Sequence, residues 1–183
     1  ILKDNKKYKV LALTAHRNYK LLSKYSKLLN VEFAAIADDH FLNKLKSELK
    51  YTNIKCISGK EAICKAAKIK TDITFSSIIG VAGLKPTYEA ISATKVLAIA
   101  NKESLVSAGN LLIKKAKLHK TKILPLDSEH NAIFQVIEKE NKKKIKNITL
   151  TASGGPFWKK NNEYFKKITV SQALKHPNWK MGK

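Results

Sequence analysis

Short apolar runs rich in β-branched residues alternate with amphipathic stretches along the whole chain, and this alternation constrains the fold more than any other feature. The predicted strands lie at about Lys9–Ala15, Glu32–Ala37, Ile54–Ile57, Ile73–Ile79, Val96–Ala100, Ile123–Leu126 and Ile148–Ala152. Helical spacing predicts helices at Asn18–Leu29, Asp39–Leu49, Lys60–Ala67, Lys85–Ala93, Glu103–His119 and Asn131–Lys139. Such alternation is typical of βαβ units, so we predict an α/β protein with a doubly wound parallel sheet.

The charge of the chain first suggests a nucleic-acid partner, because 183 residues carry a formal net charge of +22. However, 35 of the 36 basic residues are Lys, and Arg17 is the remaining one. Nucleic-acid recognition favours the planar guanidinium of Arg, and the Lys residues are spread along the chain. We therefore expect no nucleic-acid partner. No apolar run approaches the roughly 18 residues that cross a bilayer, so we expect no membrane partner either.

Ligands of a doubly wound sheet bind beyond the carboxyl ends of its strands, so the residues after each strand are the candidate site. Arg17 follows a strand at the position where a dinucleotide fold meets the adenosine ribose; a basic residue there suits the 2′-phosphate of NADP, where NAD enzymes place an acid. Polar, charged or glycine residues also follow other predicted strands, in the segments Gly80–Gly83, Asn101–Ser104, Asp127–Asn131 and Ser153–Phe157. These strand ends are therefore the candidate ligand site, and Arg17 favours NADPH over NADH if the ligand is a dinucleotide.

Asp127 and Glu129 are the sharpest chemical signal. If the backbone is extended there, both carboxylates project to one side and can bind one hard divalent cation. Alternatively, Asp127 only caps a helix that begins near Glu129. Spacing does not decide between the two; the position of these acids after a strand, in a chain with only 14 acids, favours the metal site.

Several longer motifs resemble the central blocks of the 1-deoxy-D-xylulose 5-phosphate reductoisomerase family. The motifs occur in the family's order, and they are Gly80–Thr87, Asn101–Val106, Leu124–Gln135, Ser153–Phe157 and His176–Lys183. The resemblance implies a Rossmann-like NADPH-binding domain over residues 1–126 and, over residues 127–183, the start of an α+β domain that binds metal and substrate. It also implies an NADPH- and metal-dependent oxidoreductase that makes 2-C-methyl-D-erythritol 4-phosphate in the non-mevalonate isoprenoid pathway.

The resemblance implies a role for each matching residue. Asp127 and Glu129 are implied to be two of three carboxylate ligands of Mg²⁺ or Mn²⁺. The implied substrate-contacting residues are Lys102, Ser128, Glu129, Ser153 and His176, with Trp179 in a flap over the substrate. The implied cofactor-contacting residues are His16, Arg17, Asn18, Asn101, Glu103 and Gly182, where His16 replaces the family's usual Gly. Taken alone, Trp179 would be a core residue, and His176 and Ser153 would be loop residues.

The family's first glycine-rich phosphate loop and its later phosphate- and metal-binding set are not found in these 183 residues. We therefore expect a partial chain that is inactive and prone to aggregation by itself. The resemblance implies a phosphorylated sugar as the substrate, a homodimeric full-length protein and a bacterial cytoplasmic location, with a plastid location left open.

Two other readings make different predictions. A semialdehyde or homoserine dehydrogenase would share the βα pattern, but not the block from Asp127 to Asn131. A basic binding module would bind duplexes with a steep salt dependence.

Overall fold

The computed structural model describes residues 7–137, 143–150 and 155–175. Its strands are β1 (Ala12–Ala15), β2 (Phe33–Ile36), β3 (Lys55–Ser58), β4 (Thr71–Ser76), β5 (Thr94–Ile99) and β6 (Lys122–Pro125). Its helices are α1 (Tyr19–Leu28), α2 (Leu42–Glu48), α3 (Lys60–Ala67), α4 (Leu84–Ala90), α5 (Lys102–His119), α6 (Ser128–Val136), α7 (Asn162–Phe165) and α8 (Val170–Ala173). Short 3-10 turns cover Asp39–Phe41, Val81–Gly83 and Gly155–Phe157.

The six strands form two three-stranded sheets with the orders β1-β2-β3 and β4-β5-β6. β1 pairs in parallel with β2, and β2 pairs in parallel with β3. β4 pairs in parallel with β5 over almost its whole length. The predicted parallel α/β architecture is therefore confirmed. Because paired strands run in the same direction, the residues after β1 and β2 meet at one edge of their sheet.

β2 is the most deeply buried strand, since Ala34, Ala35 and Ile36 are each 0% exposed. Ala34 and Ile36 pack into a cluster with residues of α1 and α2, including Leu22 and Leu45. Ala35 packs against α3 in a separate cluster. Both faces of the sheet are thus covered by helices, as is usual for parallel sheets, and this explains why β2 is apolar throughout.

The second sheet has its own core. Leu97 of β5 is 0% exposed and packs with Ile91 and with Leu112 of α5. Thr121 ties α5 back to this sheet, because its hydroxyl donates to the backbone oxygens of Ile91 and Thr94, at 2.6 and 3.0 Å. These bonds hold the C-terminal end of α5 against the sheet, and Ala108 has non-helical dihedral angles (φ −143°, ψ 27°) between that end and the start of the helix.

The chain divides into two compact units, Ile1–Leu124 and Pro125–Lys183. The second unit contains α6 to α8. In it, the ring of Phe157 lies 6.2 Å from the rings of both Tyr164 and Phe165. Thr169 and Gln172 form a capping box at the start of α8, in which each side chain bonds the other residue's backbone. None of the helices in the described part of the chain is long and apolar enough to span a membrane.

The prediction of a seventh strand at Ile148–Ala152 is wrong for the three residues that the structure describes. Residues 148–150 have no strand pairing, while residues 151 and 152 lie outside the described ranges. Ile148 is 57% exposed and Leu150 is 53% exposed, unlike the residues of β2. An apolar β-branched run predicts a strand only where a partner strand and a covering layer exist, and the sequence pattern does not report either of them.

Candidate active site

The turn after β1 carries three of the predicted cofactor residues, His16, Arg17 and Asn18. Asn18 caps α1, because its side-chain oxygen accepts a hydrogen bond from the backbone N–H of Leu21 at 3.0 Å. Nε of Arg17 donates to Oδ2 of Asp38 at 2.9 Å, and the side chain of Arg17 remains 68% exposed. His16 is exposed, and its carbonyl oxygen accepts from the backbone N–H of Asp38 at 3.1 Å. The turn thus places the exposed guanidinium of Arg17 beside the capped N-terminus of α1.

Asp38 follows β2 and faces this turn. Its Oδ1 lies 2.8 Å from Nδ1 of His40 and accepts from the backbone N–H of the same residue at 3.2 Å. These hydrogen bonds from His40, together with the one from Arg17, hold the pKa of Asp38 below its usual value. An open groove of about 560 Å³ lies at the ends of β1, β2 and β3, and its lining includes His16, Asp38 and Gly59. The first unit therefore has a groove where its fold class binds ligands.

Asn101 begins α5 and is only 2% exposed. Its side-chain oxygen accepts from the backbone N–H of Ser104 at 2.8 Å and also from that residue's hydroxyl. Its Nδ2 donates to the carbonyl oxygens of Ile78 and Gly80, the latter at 2.9 Å. Asn101 thus joins the loop after β4 to the first turn of α5. This turn presents Lys102, which is exposed, and Glu103, which is half-buried.

Asp127 caps α6 in the second unit. Its Oδ1 accepts from the backbone N–H of His130 at 3.0 Å, and its side chain is only 7% exposed. Glu129 lies in the first turn of α6, where the hydroxyl of Ser128 donates to its Oε2 at 3.1 Å. Asn131 ties this turn to the preceding strand through a 2.7 Å bond from Nδ2 to the carbonyl oxygen of Pro125.

The extended backbone that the metal interpretation required at Asp127–Glu129 is found at Asp127, which has φ −66° and ψ 150°, while Ser128 and Glu129 are helical. The helix predicted to start at Asn131 begins at Ser128 instead. The reason is that Asp127 is a good N-cap, so the chain becomes helical immediately after it. Asp127 is the N-cap of α6 and Glu129 lies in its first turn, which agrees with the alternative interpretation that Asp127 caps a helix. The capping hydrogen bond uses Oδ1 of Asp127 and not Oδ2.

The chemistry of the two acids fits a hard divalent cation, because carboxylate oxygens are the ligands that Mg²⁺ and Mn²⁺ prefer. Across residues 7–137, 143–150 and 155–175, no group of three or more His, Cys, Asp or Glu side chains is placed to hold a metal ion. Within this part of the chain, Asp127 and Glu129 could supply at most two carboxylate groups to such a cation.

Two protein-family models together match almost the whole chain. The model described as 1-deoxy-D-xylulose 5-phosphate reductoisomerase matches residues 1–109. The model of the C-terminal domain of the same enzyme matches residues 123–183. The chain belongs to the 1-deoxy-D-xylulose 5-phosphate reductoisomerase family. This confirms the family resemblance that the sequence motifs carry.

Curated relatives of this reductoisomerase family are similar along the full chain. The enzyme of Wolbachia pipientis subsp. Culex pipiens is 48% identical over 184 residues, which cover 100% of this chain and 47% of the relative. The enzyme of Zymomonas mobilis is 46% identical over 176 residues, which cover 96% of this chain and 45% of the relative. The chain thus spans about half the length of the curated relatives it matches.

Solved reductoisomerase structures confirm the Rossmann-like α/β fold. The enzyme from Zymomonas mobilis in complex with NADPH has a TM-score of 0.85 and 44% identity, and the match covers 96% of this chain and 47% of that one. A reductoisomerase in complex with NADPH, fosmidomycin and magnesium has a TM-score of 0.79 and 33% identity, and that match covers 98% of this chain and 47% of the other.

Four of the reductoisomerase site residues that we predicted lie outside the described residues, and they are Ser153, His176, Trp179 and Gly182. Sequence reasoning also missed two features of the site. It treated Asn101 only as a cofactor contact and missed its buried bonds to Ile78 and Gly80. It overlooked Asp38, although an acid that follows a strand in an acid-poor chain is the same signal that singled out Asp127.

Proposed function

We propose that the full-length protein converts 1-deoxy-D-xylulose 5-phosphate to 2-C-methyl-D-erythritol 4-phosphate, with NADPH and Mg²⁺ or Mn²⁺, in the non-mevalonate isoprenoid pathway. The observation that carries this proposal is the match of 98% of the chain, at a TM-score of 0.79, to a reductoisomerase bound to NADPH, fosmidomycin and magnesium. The family membership of both halves of the chain supports it.

In this proposal residues 1–126 form the NADPH-binding domain. Arg17 would bind the 2′-phosphate, which suits its position after β1 and its 68% exposed side chain. His16, Asn18, Glu103 and Gly182 would complete the cofactor site. Asn101 belongs to the same site, but its side-chain bonds are internal, so we assign it the role of shaping the loop at Gly80.

Residues 127–183 would open the metal- and substrate-binding domain. When bound, Mg²⁺ or Mn²⁺ supplies Lewis-acid polarisation of the substrate ketone and its neighbouring hydroxyl, and NADPH supplies the hydride that reduces the rearranged aldehyde. Asp127 and Glu129 would supply two carboxylate ligands to the metal. The residues proposed to bind and orient the phosphorylated substrate are Lys102, Ser128, Glu129, Ser153 and His176, and Trp179 would exclude water as part of a flap.

We further propose that the full-length protein is a homodimer of the bacterial cytoplasm. The bacterial sources of the curated relatives, Wolbachia and Zymomonas among them, support the bacterial assignment. The dimer is part of the family resemblance, and sedimentation of the full-length protein would test it.

Product identification tests the proposed reaction. The full-length protein is incubated with 1-deoxy-D-xylulose 5-phosphate, NADPH and Mn²⁺, and the sugar phosphates are separated and identified by mass spectrometry. We expect 2-C-methyl-D-erythritol 4-phosphate in amounts equal to the NADPH consumed. Reactions without NADPH or without metal are the controls. A reduced product with an unrearranged carbon skeleton would show a simple dehydrogenase and contradict the proposal.

A further inference from the structure

The contact between Arg17 and Asp38 is made through one particular nitrogen of the guanidinium. Nε of Arg17 donates to Oδ2 of Asp38 at 2.9 Å. Because this bond uses Nε, it does not consume either of the two terminal NH₂ groups, which can bind two oxygens of one phosphate in a bidentate manner. The Arg17 side chain is 68% exposed, so a ligand can reach it.

Asp38 is more buried, and makes more hydrogen bonds, than an ordinary surface acid. Its side chain is only 15% exposed, and its Oδ1 is occupied by the backbone N–H of His40 at 3.2 Å and by Nδ1 of His40 at 2.8 Å. Its own backbone N–H donates to the carbonyl oxygen of His16 at 3.1 Å, which extends the pairing of β1 with β2 by a further bond. Oδ2 is therefore held at a fixed point beside the turn that carries Arg17.

We propose that Asp38 is a positioning residue that fixes the Arg17 guanidinium, through Nε, for recognition of the 2′-phosphate that distinguishes NADPH from NADH. This inference rests on the proposed function, because it assumes that NADPH binds at the turn after β1. Asp38 would then act through Arg17, without contacting the cofactor itself. This role explains why the carboxylate of Asp38 lies next to a site for the negatively charged 2′-phosphate.

A purely structural role for the ion pair is the competing explanation. Ion pairs near the surface typically contribute little to stability, so the contact by itself does not show which role it has. A long Arg side chain loses much rotamer freedom when it binds a ligand, and a partner that restricts it beforehand reduces this loss. The two explanations differ in their effect on ligands with and without a 2′-phosphate.

Asp38→Asn separates orientation of Arg17 from the local fold. Asn has the same size and is an equally good N-cap, so it keeps the bond from the backbone N–H of His40 and the turn at Asp39–Phe41. Its NH₂ group would then face Nε of Arg17, donor against donor, and the positioning bond would be lost. Asp72→Asn is the matched control, because Asp72 pairs with Lys95 at 2.7 Å on β4, remote in sequence from this turn.

The test is a double-mutant cycle in the full-length protein with Asp38→Asn, Arg17→Ala and the double variant. Calorimetric titration with 2′,5′-ADP and with 5′-AMP measures the preference for the 2′-phosphate without any need for turnover. We expect Asp38→Asn to weaken binding of 2′,5′-ADP by about 3- to 10-fold and to leave 5′-AMP unchanged. In the Arg17→Ala background Asp38→Asn should have no effect, and Asp72→Asn should have none in either background.

Steady-state kinetics of the Asp38→Asn variant give a second readout. The KM for NADPH should rise, while kcat and the KM for NADH remain as in the wild type.

Several results would overturn the inference. They are an equal loss for 5′-AMP, a loss that persists in the Arg17→Ala background, no change with Asp38→Asn, and no measurable 2′,5′-ADP binding by the wild type. Tighter binding of 2′,5′-ADP by Asp38→Asn would show that the carboxylate repels the phosphate and does not position Arg17. Failure of the proposed function looks different: wild-type protein would not oxidise NADPH with the substrate, whatever the titrations show.

Discussion

The Asp127 carboxylate meets His130 at two points, accepting from its backbone N–H at 3.0 Å through Oδ1 and lying 2.7 Å from its Nδ1 through Oδ2. One oxygen therefore serves the helix cap, and the other contacts an imidazole that is 50% exposed. A metal ion can compete for Oδ2 without removing the cap. This relationship allows Asp127 to have both of the roles that the sequence suggested, as helix cap and as metal ligand.

Asp127→Asn separates these two roles. Asn caps a helix as well as Asp does, so the free energy of unfolding should change by less than about 1 kcal/mol. The charged ligand is lost, and we expect kcat of the full-length protein to fall at least about 100-fold while NADPH binding is retained. Titration with Mn²⁺ and with NADPH measures both affinities. Near-normal, metal-dependent turnover in this variant would mean that Asp127 is a cap alone.

Gly83 lies against the Asn101 side chain and should not tolerate a larger residue. A Cβ atom at this position would lie 2.6 Å from the carbonyl oxygen of Ile78 and 2.9 Å from Nδ2 of Asn101. Gly83→Ala should therefore destabilise the protein by about 1–3 kcal/mol in denaturant unfolding. Gly109→Ala is the control, since a Cβ there meets nothing within 4 Å. It should leave stability unchanged or raise it by up to about 1 kcal/mol. Equal effects of the two substitutions would refute the close packing.

The Nδ2 group of Asn101 is predicted to matter more than its capping oxygen. Asn101→Asp keeps the cap, but it places a carboxylate against the carbonyl oxygens of Ile78 and Gly80. We expect a loss of about 2–4 kcal/mol in the free energy of unfolding. Asn18→Asp is the matched change at an exposed cap, and it should be nearly neutral. The prediction fails if both substitutions are tolerated equally in chemical denaturation of the cofactor-free protein.

Sequence periodicity predicted the local elements well and their long-range contacts poorly. α1 with its Asn18 cap follows from helical spacing and a local hydrogen bond, both of which are visible in the sequence. The bonds from Asn101 to Ile78 and Gly80 span more than 20 positions, so no local pattern reports them. The same limit explains why Asp38, which pairs with Arg17 across two neighbouring strand ends, was not predicted. It also explains the absence of strand pairing at residues 148–150, because pairing depends on a neighbouring strand.

The ion pair between Glu61 of α3 and Lys85 of α4 predicts that the stability of the fold depends on pH. The hydrogen bond and charge of Lys85 hold the pKa of Glu61 below its ordinary value. A carboxylate with a lowered pKa adds stability above its unfolded-state pKa and loses it as pH falls through the folded-state value. The difference in melting temperature between the wild type and Glu61→Gln should thus be present at about pH 6–7 and should vanish as the pH falls through the lowered pKa of Glu61 in the folded protein. High salt should reduce the difference at neutral pH, because both side chains are exposed. A difference that is constant across this pH range would show that the pair does not stabilise the fold.

We expect the isolated 183-residue chain not to catalyse the reaction, because no group of three or more His, Cys, Asp or Glu side chains among its described residues is placed to hold a metal ion. Calorimetry with NADPH and an NADPH-oxidation assay of this chain test the expectation. Micromolar cofactor binding together with measurable turnover would show that the chain needs no further segment.

The most direct test of the central claim is the steady-state rate of NADPH oxidation by the full-length protein with 1-deoxy-D-xylulose 5-phosphate. We expect turnover that needs both the sugar phosphate and Mg²⁺ or Mn²⁺, that is abolished by a chelator and that returns when the metal is restored. Substrate-dependent oxidation that persists undiminished in the metal-free, chelated protein would contradict it, as would the absence of oxidation with both ligands present.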